Sequence, residues 1–346
     1  MSDRTVRPPT LAVVARHAGV SVPTVSKVLR GRSDVAAATR AKVNEVLDAL
    51  HYPRQEKVAG LSLIDVVLNE LNTTWAAKLL AALEFEAREQ GLSMVVNSLP
   101  DPATRLAPPR RWLENLAGRG SSGVVGVMIE LSDAQREYLL SQELPVCIID
   151  GKTQPAGISG VRLLNYEAEH RATRHLIELG HRRIAMVTGA EKNLESARRL
   201  EGYRAALEEA GIELDDRLVE RGGFTADGAI AATRRLVQCS GRPTAIVYGS
   251  DKMALAGYGV LAAQGLRIPD DISVIGFDDT VDCDLAQPPL STVAQPVAAM
   301  AKTAIGILTG SIDSGGGTMF ELAAELTLRS STAPLGRRQA ARMSST

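Results

Sequence analysis

From residue 62 onward, short apolar runs alternate with amphipathic stretches, and that alternation constrains the fold more than anything else in the chain. Leu63–Leu68, Ser93–Asn97, Gly123–Ile129, Val146–Ile149, Gly160–Leu164, Ile184–Thr188, Ala245–Tyr248 and Ser273–Phe277 read as strands. Between or after them, Ala76–Gln90, Ala134–Gln142, Glu167–Leu179, Ser196–Ala210, Ala226–Gln238, Lys252–Gln264 and Val297–Leu308 read as helices. Continuously apolar strands joined by helices are buried on both faces, so the pattern predicts an α/β fold with parallel sheets. About 280 residues suit two such sheets, each in its own lobe. Ligands of open α/β sheets bind beyond the carboxyl ends of the strands, so two facing lobes predict one cleft.

Composition narrows the class. With 346 residues, 45% hydrophobic and 23% charged, the chain is not disordered, collagenous or coiled coil. No apolar run reaches the roughly 18 residues of a spanning helix. Met1–Thr10 is polar with no apolar segment, so no secretory signal is expected and the predicted compartment is the cytoplasm. Cys147, Cys239 and Cys283 lie far apart without CxxC spacing, which predicts buried thiols rather than disulfides or zinc. No metal or cofactor is expected.

The net charge of −1 hides an asymmetry. Residues 1–60 hold ten Lys/Arg against five Asp/Glu, and the remainder 29 against 35. A basic head on an acidic body suits a polyanionic partner. Within the head, LAVVARHA (residues 11–18) is a helix former with Thr10 as N-cap. Gly19 stops it, Ser21 caps a second short helix through Leu29, and Pro23 sits in the first turn, where its missing N–H costs little. A third helix fits Thr39–Leu50. Helix, glycine turn, short helix is the helix-turn-helix pattern. Ala15, Val20, Val25, Val28 and Leu29 would form its core, and Val22, Pro23, Ser26, Lys27 and Arg30 would face outward. The second helix would enter the major groove, with Lys27 donating to guanine and Val22 and Pro23 touching a thymine methyl. Thr10, Ser21, Thr24, Thr39 and Arg40 suit phosphate oxygens. A three-helix packing module is the plainer alternative.

The stretch TLAVVARHAGVSVPTVSKVLRG (residues 10–31), with VAAATRAKV (residues 35–43), resembles the head of the lactose-repressor/galactose-repressor (LacI/GalR) family. The resemblance puts Val22, Pro23 and Lys27 at base-reading positions. Val13 departs from the family's usual Asp, Ala36 from the Ser that caps the third helix, and Pro23 from a polar Gln. The linker HYPRQEKVAGL (residues 51–61) is shorter than the family's, and Gly60 suits a hinge helix poorly. Leu61 is either a minor-groove wedge or the start of the next strand. The body carries further matches at LIELGHRRIAMVTG (residues 176–189), RLEGY (199–203), GFTADG (223–228), SDKMALA (250–256), IPDDISVIGFDD (268–279) and PPLSTVAQP (288–296). The family fold implied is a periplasmic-binding-protein-like core.

Strand ends place Asn69, Asp150, Ser250 and Asp278 at the expected cleft, with Arg199 opening a helix. Carboxylates accept and arginine donates in a fixed fork, while Phe224 and Trp75 offer flat faces. Together they suit a polyol with polar edges and an apolar face, a sugar more than a purine. The resemblance places Asp150, Arg199, Phe224, Ser250 and Asp278 on effector-contacting positions; Ser250 departs from the commoner Asn. Plain structural readings stand beside these: a surface charge for Arg199, a loop cap for Asp278, core for Trp75 and Phe224.

Gly120, Gly123 and Gly126 lack dinucleotide-loop spacing, and His170 and His175 do not share a helix face as metal ligands do. No nucleophile elbow occurs. The reading is a transcriptional regulator, a repressor and not an enzyme, with operator DNA, a small effector and a second copy as partners, and no membrane. A sugar-active α/β enzyme with a fused DNA-binding head is the alternative. The expected organisation is a head (1–52), a linker (53–61), a core (62–336) and a disordered tail (337–346). In the core, lobe 1 takes about 62–160 and 292–322, and lobe 2 about 161–291 and 323–336.

Overall fold

The computed structural model describes residues 10–29, 35–50, 52, 62–99, 107–151, 156–191 and 193–336. Arg30, the linker 53–61 with Leu61, and the tail 337–346 lie outside the described residues.

The head contains helices α1 (Leu11–Ala18), α2 (Val22–Leu29) and α3 (Ala37–Ala49). Gly19 ends α1 in the left-handed region (φ 63°), and its N–H donates to Ala15 and Arg16 carbonyls. A side chain there would be strained, which is why glycine marks the turn. Ser21 caps α2 as expected, its Oγ accepting from the Thr24 N–H at 3.3 Å. Thr10 has cap-like backbone angles but makes no side-chain cap bond. Ala36 likewise offers none to α3, which starts two residues earlier than its periodicity predicts. The head core is larger than expected: Val14, Ala15, Ala18, Val25, Val28, Val35, Val43 and Leu47 are buried, and Val20, Val22 and Leu29 pack against them.

The body holds two six-stranded sheets. Sheet 1 runs β11(Met319–Leu322), β5(Ser159–Leu163), β4(Val146–Ile149), β3(Gly123–Val127), β1(Ser62–Leu68), β2(Leu92–Ser98). Sheet 2 runs β12(Glu325–Thr327), β10(Ser291–Ala294), β9(Ser273–Asp278), β8(Ala245–Tyr248), β6(Ile184–Thr188), β7(Val219–Arg221). The central pairings are parallel, for example Val66 opposite Val125 and Val247 opposite Ile275. One edge departs from the all-parallel expectation: β12 pairs antiparallel with β10, reached by a short connection after β11.

The connecting helices are α4(Thr74–Glu89), α5(Arg110–Arg119), α6(Asp133–Ser141), α7(Asn165–Glu178), α8(Leu194–Glu209), α9(Ala226–Gln238), α10(Asp251–Ala263), α11(Asp282–Leu285) and α12(Val297–Thr309). Several begin on side-chain caps: a Ser132/Gln135 capping box for α6, Asn193 for α8, Thr225 for α9 and Ser250 for α10. These hold N–H groups that no helix carbonyl can reach.

The chain divides into two compact units. The first comprises Met1–Leu71, Ala82–Val161 and Ala301–Phe320; the second comprises Asn72–Ala81, Arg162–Met300 and Glu321–Thr346. The first unit packs Trp112, Leu113 and Leu116 of α5 against Val124, Leu139 and Ile148. The second builds one apolar cluster around Ile246, Tyr248, Met253 and Leu261 and another around Met186, Tyr203, Ile275 and Phe277. Both faces of sheet 2 are thus covered, as continuous apolar strands require.

Candidate functional site

In the head, α2 carries the residues that the helix-turn-helix pattern assigns to bases. Ser21 and Thr24 pair through their hydroxyls at 2.8 Å. Val22 and Pro23 are half-buried, and Val22 packs on the head core rather than projecting freely. Ser26 is 2% exposed, against the expectation that it faces outward. Lys27 Nζ lies 3.0 Å from Glu143 Oε1, on the turn after α6. In the first turn of α3, Thr39 is half-buried and Arg40 donates to the Val35 carbonyl at 3.4 Å.

In the second unit, the carboxyl ends of β6, β8 and β9 gather most of the expected ligand residues. Arg199, on α8, donates through Nε to Asn165 Oδ1 at 2.8 Å and through Nη1 to the Gly249 carbonyl at 2.5 Å. Its guanidinium carbon lies 3.4 Å from the centre of the Phe277 ring and 6.0 Å from that of Phe224. Its remaining N–H groups stay available to a ligand among the described residues. The Phe224 ring presses on Gly189 so closely that any Cβ there would collide with it. Ser250 is buried, and its Oγ accepts from the Met253 N–H at 3.3 Å, so it caps α10. Asp278 ends β9 and accepts from Gln295 Nε2 at 2.6 Å. Gln295 Oε1 and Trp75 Nε1 are buried with no partner among the described residues. Unpaired buried polar atoms are costly and call for a partner.

In the first unit, Asn69 follows β1, its N–H donating to the Val127 carbonyl at 3.3 Å, and buried Asp150 follows β4, its N–H donating to the Val161 carbonyl at 2.9 Å. Asp150 (φ 48°), Phe224 (φ 60°) and Asp278 (φ 120°) all hold left-handed backbone conformations. Such strain in non-glycine residues concentrates where a site over-determines the backbone.

The electrostatics are unusual. Burial pushes the Asp278 carboxyl up to about 7 against the pull of Arg199. Burial pushes Glu169 up to about 8, again opposed by Arg199. Asp251 is also raised by burial, although Thr292 Oγ1 (2.5 Å) and the Thr280 N–H (2.8 Å) donate to it. Of these three buried carboxyls, Asp278 and Glu169 both feel the Arg199 guanidinium, and Asp251 in turn raises Asp278. Such a region favours a neutral ligand with hydroxyl donors over an anion.

Sequence reasoning missed Gln295, Asn165 and Lys78. Gln295 lies inside PPLSTVAQP, noticed as a signature and not as a source of ligand groups. Lys78 donates to the Asp279 carbonyl at 2.6 Å, from a helix stretch whose charge looks merely solvated. Among the described residues, no helix is long and apolar enough to cross a membrane, and no group of three or more His, Cys, Asp or Glu could hold a metal ion.

Comparison with known proteins gives the class. Residues 10–55 match the model of bacterial regulatory proteins, lacI family, and residues 173–332 that of the periplasmic binding protein-like domain. The chain is 32% identical over 305 residues to the HTH-type transcriptional repressor PurR of Vibrio atlanticus, covering 86% of this chain and 90% of that one. It resembles the structure of a transcriptional regulator CelR–cellobiose complex, with a TM-score of 0.67, 31% identity, and 93% and 99% of the two chains covered. It also resembles the lac repressor dimer bound to operator and the anti-inducer ONPF, with a TM-score of 0.66, 27% identity, and 94% and 100% covered. A helix-turn-helix head on a periplasmic-binding-protein-like body defines a DNA-binding transcriptional regulator. This chain belongs to the lacI family of bacterial regulatory proteins, whose members among its relatives are transcriptional regulators and not enzymes.

Proposed function

We propose that the protein represses transcription in the cytoplasm as a homodimer on a pseudo-palindromic operator, and that a sugar sets its operator affinity. Two copies related by a twofold axis match an operator of the same symmetry. In the head, Lys27, Val22 and Pro23 read base edges, while Thr10, Ser21, Thr24, Ser26, Arg30, Thr39 and Arg40 contact the backbone or flank the readers. In the body, Asn69, Trp75, Asp150, Arg199, Phe224, Ser250 and Asp278 contact the effector, with Gln295 joining them.

One observation carries the effector class: a preset arginine fork beside a buried carboxylate whose amide neighbour keeps an unpartnered oxygen. A ring with vicinal hydroxyls supplies donors to Asp278 and Gln295, acceptors to Arg199 and an apolar face to Phe224. The relative solved with cellobiose supports a sugar over a purine. Binding of the effector favours one arrangement of the body and thereby changes operator affinity.

The test is fluorescence anisotropy of a labelled duplex from upstream of the protein's own gene, at two salt concentrations, with a panel of mono- and disaccharides and purines. Salt-sensitive binding that one sugar alters is expected. A response to purines alone would overturn the sugar assignment.

A further inference from the structure

A helix that reads DNA must present its face to the groove, yet none of the eight residues of α2 is exposed in this structure. By contrast, α1 and α3 each leave several residues exposed. Part of that cover is the head's own core, which takes Val25 and Val28. Ser26 and Lys27 belong to the outward face of the pattern. Ser26 is 2% exposed. Lys27 is 26% exposed at its side chain and pairs with Glu143 at 3.0 Å. Glu143 is held on the tight turn after α6 by a left-handed backbone (φ 50°), its N–H donating to the Leu140 carbonyl at 2.9 Å. Burial pushes the Tyr52 phenol up, and the Tyr138 phenol of α6 adds to that shift. The Lys27–Glu143 ion pair thus joins the reading helix to the turn after α6.

We propose that the DNA-free chain docks its reading helix on its own core, with the Glu143 carboxylate occupying at Lys27 the place of a DNA acceptor. The inference rests on the assignment of Lys27 as a DNA contact. A docked head cannot bind operator, so apparent operator affinity falls by the fraction of heads that are undocked. A partly exposed ion pair contributes modestly, so its removal is worth about two- to fivefold in affinity.

The test uses the full-length protein. Without DNA, it is acylated with an N-hydroxysuccinimide acetate, and modification of Lys27 is followed by mass spectrometry relative to exposed Lys252. In parallel, affinity is measured for a labelled duplex that the chain itself selects from a random-sequence pool. Glu143→Gln is expected to raise Lys27 acylation and duplex affinity each about two- to fivefold at low salt, with Glu143→Lys giving more and high salt erasing the difference. Equal acylation in wild type and variants overturns the docking. Faster acylation with unchanged duplex affinity overturns its inhibitory role. Undiminished duplex binding by Lys27→Ala refutes the DNA reading of Lys27, and the inference with it, whatever the acylation pattern.

Discussion

The Arg199 guanidinium carbon lies over the Phe277 ring, 3.4 Å from its centre, while Asn165 Oδ1 and the Gly249 carbonyl accept two of its N–H bonds. Stacking and two acceptors orient the fork before a ligand arrives, so binding does not have to order it. Arg199→Ala should weaken sugar binding by about 10- to 100-fold, the scale of charge-assisted hydrogen bonds. Arg199→Lys should recover little, because an ammonium neither stacks as a plane nor forks. Calorimetry reads both, and operator affinity without sugar should stay within about twofold. Unchanged sugar affinity would remove Arg199 from the site.

Asp278 predicts a pH dependence. Its carboxyl, raised to about 7 by burial, accepts ligand hydroxyls best when ionised. Sugar affinity should therefore fall as pH drops below about 7, by at most about tenfold per pH unit. The same shift has the opposite sign for folding. Ionising a buried carboxyl costs nothing below its ordinary range, and the cost grows as pH rises towards 7. Asp278→Asn should melt a few degrees higher than wild type at pH 8, match it at pH 4, and lose sugar binding. Calorimetry at several pH values and a thermal melt at each check both signs. A flat affinity profile from pH 6 to 8 would contradict the role of Asp278.

What could be read in the sequence follows from whether a segment carries its own signal. Ile184–Thr188 and Ala245–Tyr248 are continuous apolar runs, and both appear as strands with those bounds. Gly19, Ser21 and Pro23 each act locally, so the head's turn was legible. By contrast, Ser291–Ala294, Met319–Leu322 and Glu325–Thr327 are short, partly polar segments that become strands through pairing with neighbours. No local pattern announces that. Ser26 was misplaced because the helical period fixes a residue's face but not what covers it. Asp150, Arg199, Phe224, Ser250 and Asp278 were proposed through family-like motifs, whereas Gln295 became a candidate only once its unpaired oxygen was seen.

A stability prediction concerns Asp65, which is fully buried in β1. It accepts from Asn97 Nδ2 at 3.0 Å and from Arg119 and Ser121. Removing one partner of a buried ion pair strands the other, at a cost of about 3–5 kcal/mol. Asp65→Ala should lower the melting temperature of the first unit by roughly 6–20 °C, read by differential scanning calorimetry. An unchanged melt would show that the pair contributes nothing net.

The central claim is that operator and effector sites are coupled, and linkage makes it measurable in one titration. The sugar found by anisotropy is titrated by calorimetry into free protein and into the protein–operator complex. Coupling predicts two different affinities, and their ratio must equal the factor by which that sugar changes operator affinity. Identical sugar affinity with and without operator would contradict the account.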